Sequence, residues 1–393
     1  LPSVRLTARC GLPVQVQAIG MMADDGGTLQ ADVLLTQDHI HVKAHETQAV
    51  WVECTAAAEA QPGRYPLGVL LHQQTGFAPE TPLAAHSLDI QVLPQAVPPR
   101  ETWGYHLDLW QHPANIARKH EAALWSDEHF VILERYVASL AALGQQSVSV
   151  IVSDAPWSGQ RCMQVQDYPS DLFEYNMVRV SQDGTGKFHY DYGVLDRYVQ
   201  LCLAHGITGE IEIFGLNNIW TDEVGGLGQP AADDVDAIRI RYLDARGAYR
   251  YMDAAAQIDD YLRALEAHFA SQGWLKQAVL VADEPEDVDR YRAQIARLRR
   301  VVPQFRLKCA INHVPFIEAF QDEIEDFVPI LPCLAEQWEA LQRIRPKIRG
   351  RLLWYVCCWP PRPNTFLNSP LTEARLIGIL TALWNLDGFL RWN

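Results

Sequence analysis

Positive charge is scarce in this chain. Its 393 residues hold 33 Lys and Arg against 48 Asp and Glu, a formal net charge of −15 at pH 7. That balance argues against a nucleic-acid backbone or an anionic membrane surface as partner. No basic run offsets it; the nearest is Arg297, Arg299 and Arg300, at a helix end where cations suit the dipole. Long apolar runs are missing too. The longest, around 376–386, carries Asn385 and falls short of a membrane span. The eight cysteines (Cys10, Cys54, Cys162, Cys202, Cys309, Cys333, Cys357 and Cys358) have no zinc-finger spacing. Cys309, Cys333 and Cys357 sit in or beside strand-like runs and read as small buried hydrophobes. Cys10 and Cys54 are a pair that an oxidised N-terminal domain would bridge. His39, His41 and His45 form the one metal-like cluster, and it reads as a solvated strand face because no acid or cysteine has matching spacing. No metal and no cofactor are expected. There is no P-loop, no GxGxxG and no GxSxG elbow, so neither a phosphate cradle, a dinucleotide site nor an acyl-transfer serine is indicated. Repeats and low-complexity segments are likewise missing. The chain begins at Leu1 without a signal-peptide pattern, which reads as a processed or excised start and leaves the compartment unassigned.

What is present is ordered in two stretches. Over 1–95, short alternating runs such as VRLTA, VQVQAIGM, HIHVKA and SLDIQVL are separated by turns such as Asp24-Asp25-Gly26-Gly27. That spacing predicts a β-sandwich over 1–97. Pro94, Pro98 and Pro99 mark a stiff linker. From Thr102 strand and helix patterns alternate. Strand-like runs fall at 104–110, 147–152, 209–214, 278–282, 305–311, 326–332, 351–357 and 387–392. Eight such runs, mostly in βα order, predict a TIM-type (β/α)8 barrel over 98–393, an α/β fold. A doubly wound sheet would want a glycine-rich first turn, and none follows the first strand. The chain stops right after the eighth strand, so the expectation is that the closing helix is missing or replaced. Two βα segments, 153–190 and 215–252, are long enough to build a substrate pocket.

The most informative run is AVLVADEP, 278–285. Four apolar residues read as a strand buried on both faces. They end in two adjacent carboxylates, Asp283 and Glu284, at the strand end where barrels keep their chemistry. Adjacent acids are costly to ionise together, so one is expected to hold a proton near neutral pH. An acid beside an anion is the equipment of glycoside hydrolysis. A plain helix cap by Glu286 or Asp287 is the competing reading. The other strand ends carry Asp108 and Trp110, Asp154 and Trp157, Asn217 and Trp220, Asn312 and His313, Tyr355 and Trp359, and Trp392 and Asn393. A mouth rich in Trp, Asp and Asn suits a carbohydrate, which offers a C–H face to rings and hydroxyls to polar groups.

These pieces resemble glycoside hydrolase family 123, the retaining β-N-acetylgalactosaminidases and their bacterial relatives. The resemblance rests on DLWQHPANIAR (108–118), WSDEH (125–129), VSDAPW (152–157), FHYDYGVLDRYV (188–199), ADEPED (282–287), LLWYVCCWPPRPNTFLNSP (352–370) and DGFLRWN (387–393), in that order. It implies a retaining exo-glycosidase acting on terminal β-N-acetylgalactosaminides. The substrate's own acetamido oxygen attacks the anomeric carbon and forms an oxazoline-like intermediate. By that resemblance Asp283 orients the acetamido group and Glu284 is the acid and then the base. Tyr355 lies near the acetamido carbonyl, and Trp392 is a wall of the sugar pocket. The remaining substrate contacts expected are Asp108, Trp110, Trp157, Asn217, Trp220, Asn312 and Trp359. The implied partner is a glycan or glycoconjugate. Two alternatives stand beside it. One is a glycosidase of another specificity that pairs Glu284 with a distant carboxylate, Asp108, Glu223 or Glu336. The other is a non-catalytic carbohydrate-binding barrel.

Overall fold

The structure is a computed structural model that describes residues 3–24, 26–37, 39–43, 45–99, 102–157, 174–220 and 230–392. It divides into two compact units. One comprises Leu1–Thr102 with Thr365–Pro370, and the other Trp103–Asn364 with Leu371–Asn393. Among the described residues no helix is long and apolar enough to cross a membrane.

The first unit is made of strands β1 (Ser3–Arg9), β2 (Val14–Ala23), β3 (Leu29–Leu35), β4 (His39–Ile40), β5 (Val50–Cys54), β6 (Gly63–Gln74) and β7 (Thr81–Val92). They pair antiparallel in two sheets, ordered β4-β1-β6-β7 and β3-β2-β5. The β2–β3 turn is held by Asp24, whose Oδ1 accepts from the backbone N–H of Gly26 at 3.0 Å and Thr28 at 2.8 Å. Gly27 takes the left-handed φ of 77° that this turn needs. Cys10 and Cys54 are free thiols, so the bridge expected between them is not formed. Each is half-buried, and burial followed by the neighbouring Cys10 pushes the Cys54 thiol up.

The second unit is mixed α/β. Its elements run β8 (His106–Leu109), α1 (Pro113–Lys119), α2 (Asp127–Leu143), β9 (Ser147–Ile151), β10 (Arg179–Gln182), β11 (Phe188–Asp191), α3 (Gly193–Ala204), β12 (Glu210–Phe214), β13 (Arg241–Leu243), β14 (Tyr249–Tyr251), α4 (Ala255–Ser271) and β15 (Ala278–Asp283). They continue α5 (Val288–Val301), β16 (Arg306–Ile311), α6 (Val314–Phe320), β17 (Asp326–Pro329), α7 (Leu331–Glu336), α8 (Trp338–Ile344), β18 (Leu353–Val356), α9 (Leu371–Leu383) and β19 (Gly388–Arg391). Each of the eight strand-like runs read from the sequence coincides with one of β8, β9, β12 and β15–β19, with β15 running one residue beyond its run, to Asp283. Five form a parallel sheet ordered β17-β16-β15-β12-β9, and three a parallel sheet ordered β18-β19-β8. Isolated parallel bridges link the sheet ends, Leu107 to Gln145 at one seam and Phe327 to Leu352 and Ile330 to Tyr355 at the other. Strands β9, β12 and β15 are buried along their whole length. For β15 this agrees with its unalternating apolar run, whereas β9 (SVSVI) and β12 (EIEIF) alternate polar and apolar residues and bury both.

Local chemistry ends the helices where the sequence placed their signals. Ser126 Oγ accepts from His129 N–H at 3.1 Å to cap α2, and Gly144 at φ 91° closes it. On α4, Tyr261, Leu262, Leu265 and Phe269 face the core. Cys309 and Cys333 are buried as expected, whereas Cys357 is only half-buried. The two long βα segments do more than line a pocket: each contributes a two-stranded piece. Strands β10 and β11 from the first pair with β13 and β14 from the second in one sheet, ordered β11-β10-β13-β14, through Ser181 and Leu243. The partnership of the two segments was not legible in the sequence.

Candidate active site

The geometry is set at the end of β15. Glu284 N–H still donates to Ala310 O at 2.9 Å, so the strand pairing runs one residue past Asp283. There the backbone turns sharply, with Glu284 at φ 47°. A non-glycine residue in this region costs on the order of 1–3 kcal/mol and persists only where its surroundings impose it. Consecutive strand residues point to opposite faces, and the turn re-aims the second acid. The Asp283 carbonyl is fixed from the next strand's loop, accepting from Asn218 Nδ2 and, at 3.2 Å, from Trp220 Nε1. Asn218 is itself left-handed, at φ 54°.

Tyr355, in β18, donates its phenol to Glu284 Oε1. Burial holds the Glu284 carboxyl above its usual range; Tyr355 opposes this and the charge of Glu286 adds to it. Burial also pushes Tyr355 far up, and Glu284 and Asp283 push it further, which places the phenol in the field of both acids. The result is a buried carboxylic acid that retains a proton more readily than a solvated glutamate. A cavity of about 280 Å³ opens beside Glu284. Asn218, Ile219, Trp220, Asp236, Glu286, Asp287, Arg290, Tyr291 and Gln294 complete its lining. Size alone does not locate the chemistry: a larger cavity, about 470 Å³, is lined by Asp154, Arg241, Tyr175, Tyr249 and parts of β10 and β11, and Glu284 is not part of it.

The helix-cap reading of Asp-Glu-Pro is also satisfied, by a different residue. Asp287 caps α5, its Oδ1 accepting from Asp289 and Arg290 N–H at 3.0 Å each. The cap and the acid pair therefore coexist in one six-residue run.

Asp108 corrects the expectation of a sugar contact. It is fully buried and bound to Lys308 Nζ, which also reaches Glu210 and Glu212 at 2.7 Å each. His106 Nε2 stands 2.9 Å from Glu210, and Arg351 pairs with both Glu210 and Asp326. Burial would lower Lys308, but the three carboxylates outweigh it and hold the ammonium charged. Burial raises Glu210 as well, yet Lys308, His106 and Arg351 pull it far down. Glu212 goes far up, through burial and then the charge of Asp108. Asp108 sits level with Leu390 and, through it, with Tyr355, but its carboxylate is taken up by Lys308. His106, Asp108 and Glu210 are the one group with metal-ligand spacing among the described residues. The Lys308 ammonium already supplies the positive charge there.

The other expected residues separate. Trp110, Trp157 and Trp392 are buried together with His112: Trp110 stacks on Trp157 at 6.1 Å, and His112 meets Trp157 at 5.3 Å and Trp392 at 6.5 Å, both edge-on. Trp157 pairs with Trp220, whose ring bonds Asp283, so this aromatic group connects to the acid pair. Asn217 is buried and donates to Tyr291 OH at 3.2 Å. Asn312 is exposed and bonds its neighbour His313. Trp359 is 53% exposed. Asn393 lies outside the described residues. Of the distant carboxylates offered as partners for Glu284, Asp108 is held by Lys308, Glu336 is exposed on α7, and Glu223 lies outside the described residues.

Sequence reasoning missed His112, Asn218, Asp236 and Glu174. His112 was within its reach, four residues beyond Asp108 and just before the proline that starts α1. Asp236 is pushed up to about 6 by burial, against the N–H groups of Ile219 and Asn218 and the Arg290 cation. Glu174 is pushed up to about 7 by burial while accepting from Ala114 and Asn115 N–H. Nothing in local pattern marks either.

A half-buried, proton-retaining acid at a parallel-strand end, with tryptophans nearby, defines an enzyme-type site on an α/β scaffold. The model of the glycoside hydrolase 123 catalytic domain matches residues 110–393, and the chain belongs to that family of glycoside hydrolases. Among solved structures it is similar to a family 123 glycoside hydrolase from Clostridium perfringens, whose structure concerns glycolipid glycan hydrolysis. That likeness has 16% identity and a TM-score of 0.76 over 100% of this chain and 70% of the other, and it shows the fold. A candidate glycoside hydrolase from Bacteroides vulgatus is matched at 11% identity and a TM-score of 0.42, over 99% of this chain and 71% of that one. No curated protein matches the chain.

Proposed function

We propose that the protein is a retaining exo-glycosidase that removes terminal β-N-acetylgalactosamine by substrate-assisted catalysis. The observation that carries this is the Glu284 carboxyl: half-buried, raised above its usual range by burial, and immediately next to Asp283. Glu284 gives its proton to the glycosidic oxygen as the C1–O bond breaks. The acetamido carbonyl oxygen forms the new bond to C1, giving an oxazolinium whose N–H charge Asp283 stabilises. Glu284, now a carboxylate, takes a proton from water as that water opens the ring at C1, and the anomeric configuration is retained. No protein nucleophile is needed, so the two acids can be chain neighbours. Tyr355, now hydrogen-bonded to Glu284, is within reach to turn its phenol to the acetamido carbonyl. Trp220, Trp157, Trp110 and Trp392 supply ring walls for the sugar.

The same reading takes the eight parallel strands as one closed (β/α)8 barrel, supported by the bridges at both seams. It takes the antiparallel sheets as a β-sandwich, with working domains 1–97 and 98–393. The functional test is a panel of aryl glycosides with and without a 2-acetamido group. Glu284→Gln should lower kcat on the aryl N-acetylgalactosaminide by roughly 10²–10⁴-fold. Equal rates on substrates lacking the acetamido group would sink the assisted mechanism.

A further inference from the structure

Two buried histidines in this unit invite opposite conclusions. His129 is satisfied on both ring nitrogens: Nδ1 accepts from Trp125 N–H at 3.1 Å, and Nε2 donates to Pro113 O at 3.0 Å. It is a structural histidine. His112 is 5% exposed, and neither of its ring nitrogens has a hydrogen-bond partner among the described residues. Its nearest ionisable neighbour is Glu174, whose Oε1 lies 4.0 Å from Nδ1, beyond hydrogen-bond range. The indole Nε1 groups of Trp110 and Trp392, 6% and 7% exposed, are unpartnered in the same way.

A buried polar group left without a hydrogen bond is destabilising. Three side chains with this deficit stand together. The backbone N–H of Trp110 donates to Arg391 O at 3.1 Å, which puts Trp110 beside the end of β19, where Trp392 follows. His112 lies edge-on to Trp392 and to Trp157. Trp157 leads through Trp220 to the carbonyl of Asp283. The unmet groups do not line the cavity beside Glu284, but they adjoin it through Trp157 and Trp220, and Trp220 lines that cavity.

We propose that His112, together with the indole N–H groups of Trp110 and Trp392, binds ring hydroxyls of the sugar whose glycosidic oxygen Glu284 protonates. This rests on the glycosidase reading above. The donor set selects the ligand. Indoles only donate, while a neutral imidazole offers one N–H and one lone pair. A hydroxyl both donates and accepts, so a polyol ring satisfies all of these groups. A carboxylate or phosphate cannot donate to the imidazole lone pair, and it would face Glu174. Burial holds His112 neutral, with its pKa near 4, in keeping with that role. His112 is a specificity-determining residue in this assignment, and it takes no part in proton transfer to the glycosidic bond.

The test is a coupling experiment. Binding of N-acetylgalactosamine and its 3-, 4- and 6-deoxy analogues is measured by NMR titration on the wild type, His112→Ala and His112→Gln, with thermal melts to check folding. On the wild type one analogue should bind roughly ten- to thirtyfold more weakly than the parent, the worth of one to two hydrogen bonds. In both His112 variants that same analogue should bind as well as the parent, while the other two keep their wild-type ratios. Equal weakening of all four sugars by the substitutions overturns the proposal, because a merely structural histidine, or a wall filled by water, gives additive losses. Failure of N-acetylgalactosamine to bind the folded wild type overturns it as well. The glycosidase reading fails separately, if the wild type binds these sugars with the predicted coupling but cleaves no aryl N-acetylgalactosaminide.

Discussion

Two carboxylate clusters lie in the same unit of this protein, and they are neutralised by different means. Inside the strand layer, Asp108, Glu210 and Glu212 surround the Lys308 ammonium. At the end of β15, Glu284 meets a phenol, Tyr355. The cation and its neighbours hold Glu210 ionised, while burial and the charge of Asp108 push Glu212 far up, and all three acids are tied to the fold through Lys308. A neutral hydroxyl leaves the acid to settle its charge with a proton, which it can then give away. Both clusters are carboxylate-rich; the proposed function draws on the second alone.

The comparison is broken most severely by removing the cation. Lys308→Met leaves three buried carboxylates without their ammonium and should cost about 3–5 kcal/mol of stability, read from urea unfolding. Glu284→Gln, measured the same way, should be close to neutral, because an amide replaces a carboxyl that is already inclined to be uncharged. A loss under 1 kcal/mol for Lys308→Met would show that the network relaxes or takes up protons.

Glu174 gives the next largest effect. Its folded pKa, pushed up to about 7 by burial, lies above the ordinary glutamate value of 4.5. Its proton therefore adds stability that is fully present below pH 4.5 and is lost as pH rises through 7. The difference of about 2.5 units corresponds to roughly 3 kcal/mol. Between pH 4.5 and 8, Glu174→Gln should flatten the pH dependence of stability; an unchanged slope would contradict the shift.

Tyr355→Phe sharpens the contrast at the catalytic end. The Tyr355 hydrogen bond lowers the Glu284 pKa, so its loss should raise that pKa further. A general acid works while protonated, so the alkaline limb of kcat/KM should move to higher pH. A shift to lower pH would mean that Glu284 is not the acid.

The smallest effect separates cap from catalyst. Asp287→Ala should cost about 1 kcal/mol of stability, with Asp287→Asn nearly silent, and kcat should hold in both. A large loss of kcat in Asp287→Asn would move the chemistry along the chain from Glu284.

How much was legible can be judged from individual residues. Ala278–Val281 read as a fully buried strand because apolar β-branched runs have few other uses. Asp283 and Glu284 were visible because both functions of the DEPED run are local: an acid pair at a strand end and a cap three residues on. Lys308 was not visible. In FRLKCAI it looks like a solvent-facing alternation, yet it is fully buried, and its Asp108 partner is 200 residues away. Asp108 was assigned to the mouth because its strand was legible while the lysine that occupies its carboxylate was not. His112 and His129 cannot be told apart by composition; only their partners differ. The joining of β10 with β13 depends on two segments about 60 residues apart, which no window of local pattern spans.

The sequence by itself determined the eight strands, the helix caps, the acid pair and the family, since each is written in short-range patterns of apolar residues, turn formers and motif order. Only the tertiary structure decided which carboxylates face an ammonium and which a phenol, and which buried rings are left with unmet nitrogens. Those are matters of distance between residues far apart in the chain, and in a low-dielectric interior a displacement of a few ångströms settles whether an acid keeps its charge or its proton.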